Sequence, residues 1–199
     1  SHKVFGEAAA ILAGDGLLNI AYEVMLGNVP EDAVKRSGYI EAMSVIACSA
    51  GISGMIGGQV ADMENENRSN DPPDDKILNY IHTHKTEALI TGSLQAGVLV
   101  STGDEDIKNA VASYGRACGL AFQVTDDILD VTGDPAILGK LPGSDVKKGK
   151  LTYPARFGLE GSKKMAEQYV LQAVSSLDDF GPEGDFLRWL AFSMRDRNQ

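Results

Sequence analysis

The sequence predicts an all-α chain, and three observations carry that prediction. Apolar residues recur at helical spacing, about every 3.6 residues, through each long stretch. No alternation of apolar and polar residues longer than four residues competes as a strand pattern. Clear breaks, such as Asn70-Asp71-Pro72-Pro73, divide the stretches from one another. At 199 residues the chain is long enough to bury a core as one domain, residues 1–199, and it contains no internal repeat.

The first helix is marked by Val4, Ala8, Ile11, Leu12, Leu18, Tyr22 and Met25, which form one stripe; Gly27-Asn28 closes it and Pro30 opens the next element. A second segment runs from about Glu31 to Glu66. Its Gly51, Gly54, Gly57 and Gly58 lower helix propensity but allow helices to approach closely. After the Pro72-Pro73 break, Asp74 and Asp75 complement the first turn of a third helix carrying Leu78, Ile81, Leu89, Leu94 and Leu99. Thr102-Gly103-Asp104 separates it from a fourth, which reaches Val131, with Asp104-Glu105-Asp106 at its opening turn. The pattern lapses between Thr132 and Thr152, where Gly133, Pro135, Gly139, Pro142, Gly143 and Gly149 predict a loop. Shorter helices are expected at Lys163–Leu177 and Asp185–Arg195.

Charge excludes several classes of function. With 18 Lys+Arg against 28 Asp+Glu the net charge is −10, so non-specific nucleic-acid binding and docking on anionic lipid by bulk charge are both disfavoured. Cys48 and Cys118 are too few for a disulfide framework and fall in segments that read as buried helix, which predicts a reduced, cytoplasmic protein. No leader pattern and no uncharged apolar run of membrane-spanning length is found, so no stable membrane insertion is expected.

Chemistry is concentrated in three places. Gln123, Asp126, Asp127 and Asp130 stand at i, i+3, i+4 and i+7 of the fourth helix, and like charges at such spacing repel by roughly 0.2–0.5 kcal/mol per pair. Apolar Phe122, Val124, Ile128 and Leu129 flank them, so the helix is not fully solvated and its carboxylates call for a cation. Oxygen ligands on a rigid helix suit Mg²⁺, which takes one or two carboxylates together with waters and substrate phosphates; a solvated acidic face is the plainer alternative. Lys85 lies within the apolar stripe of the third helix beside Thr86, either snorkelling to the rim or holding a diphosphate. The segment Gly139–Lys150 carries four lysines in eleven residues, Lys140, Lys147, Lys148 and Lys150, as a solvated loop or a cover for an anionic ligand. His2, His82 and His84 lack metal-site spacing, and Asp71, Asp74 and Asp75 read as caps. Asp15, within the first stripe, reads as a partner for a neighbouring helix.

Taken in order, these motifs resemble the trans-isoprenyl diphosphate synthases, most closely the short-chain bacterial farnesyl and geranylgeranyl group. The resemblance is carried by His2-Lys3-Val4-Phe5-Gly6-Glu7-Ala8 with Leu12-Ala13-Gly14-Asp15, Gly57-Gly58-Gln59 with Asp62, Lys85-Thr86, and Phe122-Gln123 with Asp126-Asp127-Ile128-Leu129-Asp130. Gly139-Lys140, Gly143-Ser144-Asp145 and Lys150-Leu151-Thr152-Tyr153-Pro154 complete it. It implies an isoprenoid synthase-type helical bundle around a central cavity, a homodimer, and Mg²⁺ as cofactor. It also implies a head-to-tail condensation of isopentenyl diphosphate with an allylic diphosphate (dimethylallyl, geranyl or farnesyl). By the same resemblance Asp126, Asp127 and Asp130 bind Mg²⁺, Lys85, Thr86, Gln123, Lys140 and Lys150 contact the allylic substrate, and Lys85, Thr86 and Asp126 are catalytic.

Members of that family carry a first aspartate-rich motif and paired arginines upstream of the segment that here begins at Ser1. The resemblance therefore implies that about a third of the expected fold lies outside this sequence, and that residues 1–199 alone hold one flank of the diphosphate and are inactive. Two other readings fit the motifs less well. A terpene cyclase shares the bundle but carries an Asn/Ser/Glu metal pattern where Asp126–Asp130 stands, and Asn65-Glu66-Asn67-Arg68-Ser69 lies too early to supply it. A catalytically silent regulatory subunit would not need Lys85, Asp126 and Lys150 intact.

Overall fold

The computed structural model describes residues 1–66, 74–133, 143, 145 and 149–196. Among these the chain is helical and contains no strand. In order come α1 (His2–Phe5), α2 (Glu7–Gly27), α3 (Ala33–Ala50), α4 (Met55–Glu64) and α5 (Asp75–His82). A π-helical turn, Thr83–Glu87, joins α5 to α6 (Ala88–Ser101), and α7 (Glu105–Thr132), α8 (Tyr153–Ser175) and α9 (Asp185–Arg195) follow.

The caps expected at Asp74 and Asp104 form, and Asp32 supplies a further one. Asp32 accepts from the N–H groups of Val34 and Lys35, Asp74 from Lys76 at 2.8 Å, and Asp104 from Asp106 and Ile107 at 3.0 Å, satisfying donors that the first helical turn leaves open. Asp75 pairs with Arg156 instead, and Asp71 lies outside the described residues.

α7 is the axis of the molecule, packed by α6, α8 and α9. Its Tyr114, Cys118 and Ala121 meet Val170, Ala173 and Leu177 of the α8 region and Ala191 of α9. The Tyr114 hydroxyl donates to the Leu187 carbonyl at 2.7 Å, so its one polar atom is satisfied inside the core. A second cluster joins Leu78 of α5, Val124 of α7 and Tyr153 and Ala166 of α8. Burying a large apolar side chain is worth roughly 1.5–3 kcal/mol, and these two clusters hold the end of α7 that bears the carboxylates.

Several expectations are corrected. The second segment is two helices, because the chain turns at residues 51–54 between α3 and α4. The first stripe is interrupted at Gly6, whose φ of 85° is a conformation glycine adopts without strain. α8 starts ten residues earlier than expected. Thr152 caps it by accepting from the Ala155 N–H at 3.3 Å, Pro154 fits its first turn, and a kink at Gly158 (φ 72°) hid the periodicity. Cys118 is buried as expected but Cys48 is exposed. Asp15 is exposed as well, and among the described residues it makes no hydrogen bond or ion pair to another helix.

No residue of α2 is buried, and Ile11, Leu12, Leu17, Leu18, Ile20, Val24 and Leu26 all face outward. The helix is tied down near its end, where the Tyr39 hydroxyl donates to the Met25 carbonyl at 3.0 Å. α2 and the stretch Ala33–Glu64 are long and apolar enough, by length and composition, to cross a membrane, although no uncharged run was found in the sequence. Asp15 stands midway along α2, where a membrane centre would charge it about 2.5–3.5 kcal/mol.

Candidate active site

The side chains singled out by sequence come from α4, the π-turn, α7 and the segment that leads into α8. The π-turn widens the helix between α5 and α6 and carries Lys85 and Thr86 on it. α4 packs against this turn through Gly58, where a Cβ would overlap the backbone nitrogen of Lys85. The close approach places Asp62, one turn further along α4, beside the lysine. Lys85 Nζ donates to Asp62 Oδ2 at 2.6 Å, and Lys150 Nζ lies 3.6 Å from the same oxygen. Lys150 also pairs with Asp145 at 3.3 Å. Burial alone would lower the Lys150 pKa; the attraction of Asp62 and Asp145 outweighs it and leaves the ammonium held above its ordinary value.

A hydrogen-bonded chain connects the turn to α7. The Thr86 hydroxyl donates to Gln123 Oε1 at 2.7 Å, and Gln123 Nε2 donates to Asp127 Oδ1 at 2.8 Å. Asp127 Oδ2 accepts the Tyr153 N–H at 3.0 Å, which anchors the start of α8. Gly119 allows the turn and α7 to lie this close, since a Cβ there would come 2.7 Å from Glu87 Cα.

The three aspartates differ in burial. Asp127 is 3% and Asp130 1% exposed, and Asp130 accepts the Asp145 N–H at 3.1 Å. Asp126 is half-buried. Among the described residues no group of three His, Cys, Asp or Glu side chains is arranged to hold a metal. Helical phase separates Asp126 from Asp127. Neighbouring residues stand about 100° apart around the axis, so a spacing that broadly shares a face still turns Asp127 into the core while Asp126 stays at the rim. Burial pushes the Asp127 carboxyl up to about 7, against the Tyr153 N–H and Gln123, which favour its ionised form.

His82 is a residue that sequence reasoning set aside. It is buried, stacks on Tyr153 with ring centroids 5.0 Å apart, and lies 3.9 Å from Asp127, yet neither ring nitrogen has a hydrogen-bond partner. Burial pushes it down to about 4, so the ring is neutral at neutral pH. His84 faces elsewhere and stacks on Tyr80, as expected for residues two apart. Asp62 and Asp145 enter the sequence reading only as motif residues; the Gly57-Gly58 pair, a mark of close backbone approach, is the signal that could have found Asp62. Lys140, Lys147 and Lys148 lie outside the described residues.

Helices thus present lysines and carboxylates from four elements around one buried hydrogen-bonded chain, which defines an all-α protein with a charged site at one end of its central helix. The chain belongs to the polyprenyl synthetase family, whose sequence pattern matches residues 1–182. It is 42% identical over 182 residues to geranylgeranyl pyrophosphate synthase 9, chloroplastic, of Arabidopsis thaliana, covering 92% of this chain and 50% of that protein. It is 44% identical over 179 residues to the farnesyl diphosphate synthase of Escherichia coli (strain K12), covering 88% of this chain and 58% of the relative. A geranyltransferase of Helicobacter pylori, solved in complex with magnesium and isoprenyl diphosphate, matches at a TM-score of 0.81 and 30% identity, over 98% of this chain and 62% of that structure. The chain spans about half the length of the curated relatives it matches.

Proposed function

We propose that this chain forms the diphosphate-binding part of a Mg²⁺-dependent prenyltransferase that condenses isopentenyl diphosphate with an allylic diphosphate, to give geranyl, farnesyl or geranylgeranyl diphosphate. The observation that carries the proposal is the meeting of Lys85 and Lys150 on the single carboxylate of Asp62. Two ammonium groups so placed, in a chain of net charge −10, favour a multiply charged anion. Family membership supports a diphosphate, and the magnesium and isoprenyl diphosphate of the Helicobacter pylori structure support the metal.

The donor set fits Mg²⁺ held chiefly by Asp126. Asp127 and Asp130 are buried, whereas Asp126 is half-buried at the rim, and Mg²⁺ needs only one or two carboxylates when phosphate oxygens complete its shell. Bound there, the ion would neutralise charge on the diphosphate as it departs. The chain's own residues do the rest. Lys85 and Lys150 face the diphosphate oxygens, where charge grows as the allylic C–O bond breaks. Thr86, held by Gln123, presents its remaining lone pairs beside the allylic group. The isopentenyl double bond then attacks the allylic cation, a C–C bond forms, and a proton is lost to restore the alkene.

The same proposal makes the protein a cytoplasmic homodimer without stable membrane insertion. The unpaired cysteines and the outward apolar residues of α2 support the first two of these features, and Asp15 in α2 supports the last. Calorimetry with geranyl diphosphate and Mg²⁺ tests the site. Lys85→Met should weaken binding about tenfold or more, the loss of a charge-assisted contact worth ~1.5–3 kcal/mol. No binding of geranyl diphosphate by the unaltered chain would overturn the proposal.

A further inference from the structure

Asp62 occupies an odd position for a site meant to receive an anion. It is 5% exposed and lies beneath two lysines whose side chains are 28% and 19% exposed. The carboxylate is therefore inside and the ammonium groups outside, between it and the solvent. Lys150 already has a second acidic partner in Asp145, so neutralising that lysine does not require Asp62. With both carboxylates present the four side chains carry no net charge; without Asp62 they carry one positive charge.

We infer that Asp62 is a positioning residue that holds Lys85 and Lys150 ready and competes with an incoming diphosphate for them, which limits how tightly the site keeps any diphosphate. The inference rests on the diphosphate reading proposed above. An anion that approaches from the solvent side must draw the ammonium groups off Asp62 or share them with it, and in either case it feels the carboxylate's repulsion at short range. Substrate and product of the proposed condensation both carry a diphosphate. Two lysines with no internal competitor would bind both more tightly by the same amount, which adds nothing to turnover and slows product release.

The test uses inorganic diphosphate as the probe, with divalent metal removed by chelation so that the lysines alone are read. In calorimetry, Asp62→Asn should bind it about tenfold more tightly than the unaltered chain, a difference of about 1.4 kcal/mol. Affinity that is unchanged or weaker in a folded Asp62→Asn protein overturns the inference. Lysine-labelled NMR supplies a readout that a merely structural role would not move. The ammonium hydrogens of Lys85, which donates to Asp62 at 2.6 Å, should be protected from exchange in the unaltered chain and lose that protection in Asp62→Asn; protection that persists overturns the positioning role. If Asp62→Asn does not fold, the unaltered chain still decides the matter, because the Asp62 carboxyl ¹³C signal should shift as diphosphate saturates the site, and a fixed signal overturns the inference. Should the unaltered chain bind neither inorganic diphosphate here nor geranyl diphosphate with Mg²⁺, the functional reading fails on its own, and the exchange measurement judges the positioning of the lysines by Asp62 separately.

Discussion

Asp126 and Asp127 are adjacent in sequence and have opposite surroundings, so they separate metal binding from structure within one motif. Asp126→Ala should abolish the gain in diphosphate affinity that Mg²⁺ provides while stability holds or improves slightly, because a repulsive pair worth roughly 0.2–0.5 kcal/mol is removed. Asp127→Ala should instead lower stability by about 1–3 kcal/mol, since the Gln123 amide and the Tyr153 N–H lose their buried acceptor. Calorimetry with and without Mg²⁺, together with urea unfolding, reads both effects; the reverse pattern would make Asp127 the ligand. His82 supplies a pH test. Its folded value of about 4 is below the ordinary 6.5, so the folded state binds fewer protons across that interval. Its contribution to stability is complete above pH 6.5 and is lost as pH falls towards 4, by about 1.4 kcal/mol per pH unit. Compared with His82→Phe, which keeps the stack on Tyr153, the unaltered chain should lose stability over that range, and a constant difference would show that His82 is not held neutral.

At the scale of elements, the π-turn and the glycine opposite it decide where Lys85 goes. A regular helix through Asp75–Ser101 would carry Lys85 along the same apolar stripe as Leu78 and Ile81, which is how the periodicity reads. The extra residue in the turn changes the phase, and Gly58 admits α4 against the widened backbone. Gly58→Ala should therefore force the two apart, costing about 1–3 kcal/mol as overpacking does and breaking the Lys85–Asp62 pair. Thermal unfolding and the Lys85 ammonium signal measure the two consequences; an unchanged melting temperature would contradict the packing described. α8 shows the same limit of periodicity, because its capped first turns at Thr152–Pro154 were legible only as motif residues while the kink at Gly158 broke the stripe.

For the whole molecule, the outward apolar residues of α2 are the largest departure from what a stable monomer exposes. The 199-residue chain should self-associate, sedimenting faster than a 21.2 kDa monomer at micromolar concentration. Ile11→Ser with Leu18→Ser should shift it towards monomer. A monomer at every concentration would remove α2 as a contact surface. Both side chains are exposed on α2, so inorganic diphosphate binding should survive these substitutions.

The sequence by itself determined the helical class, the caps at Asp74 and Asp104, the end of α7 that carries the carboxylates, and the ordered motifs that mark the family. Each of these is local: a period, a cap or a spacing is complete within a few turns of chain. Tertiary structure alone decided that Lys85 and Lys150 share Asp62, that Thr86 is tied to Asp127 through Gln123, and that Asp127 and Asp130 face inward while Asp126 keeps to the rim. Those outcomes depend on which face of each helix finds a partner, and helical spacing leaves that undetermined by about 100° per residue. Burial then changes the chemistry of the groups it covers, so of two side chains that look ordinary in the sequence the Asp127 carboxyl is pushed up to about 7 and the His82 ring is held neutral.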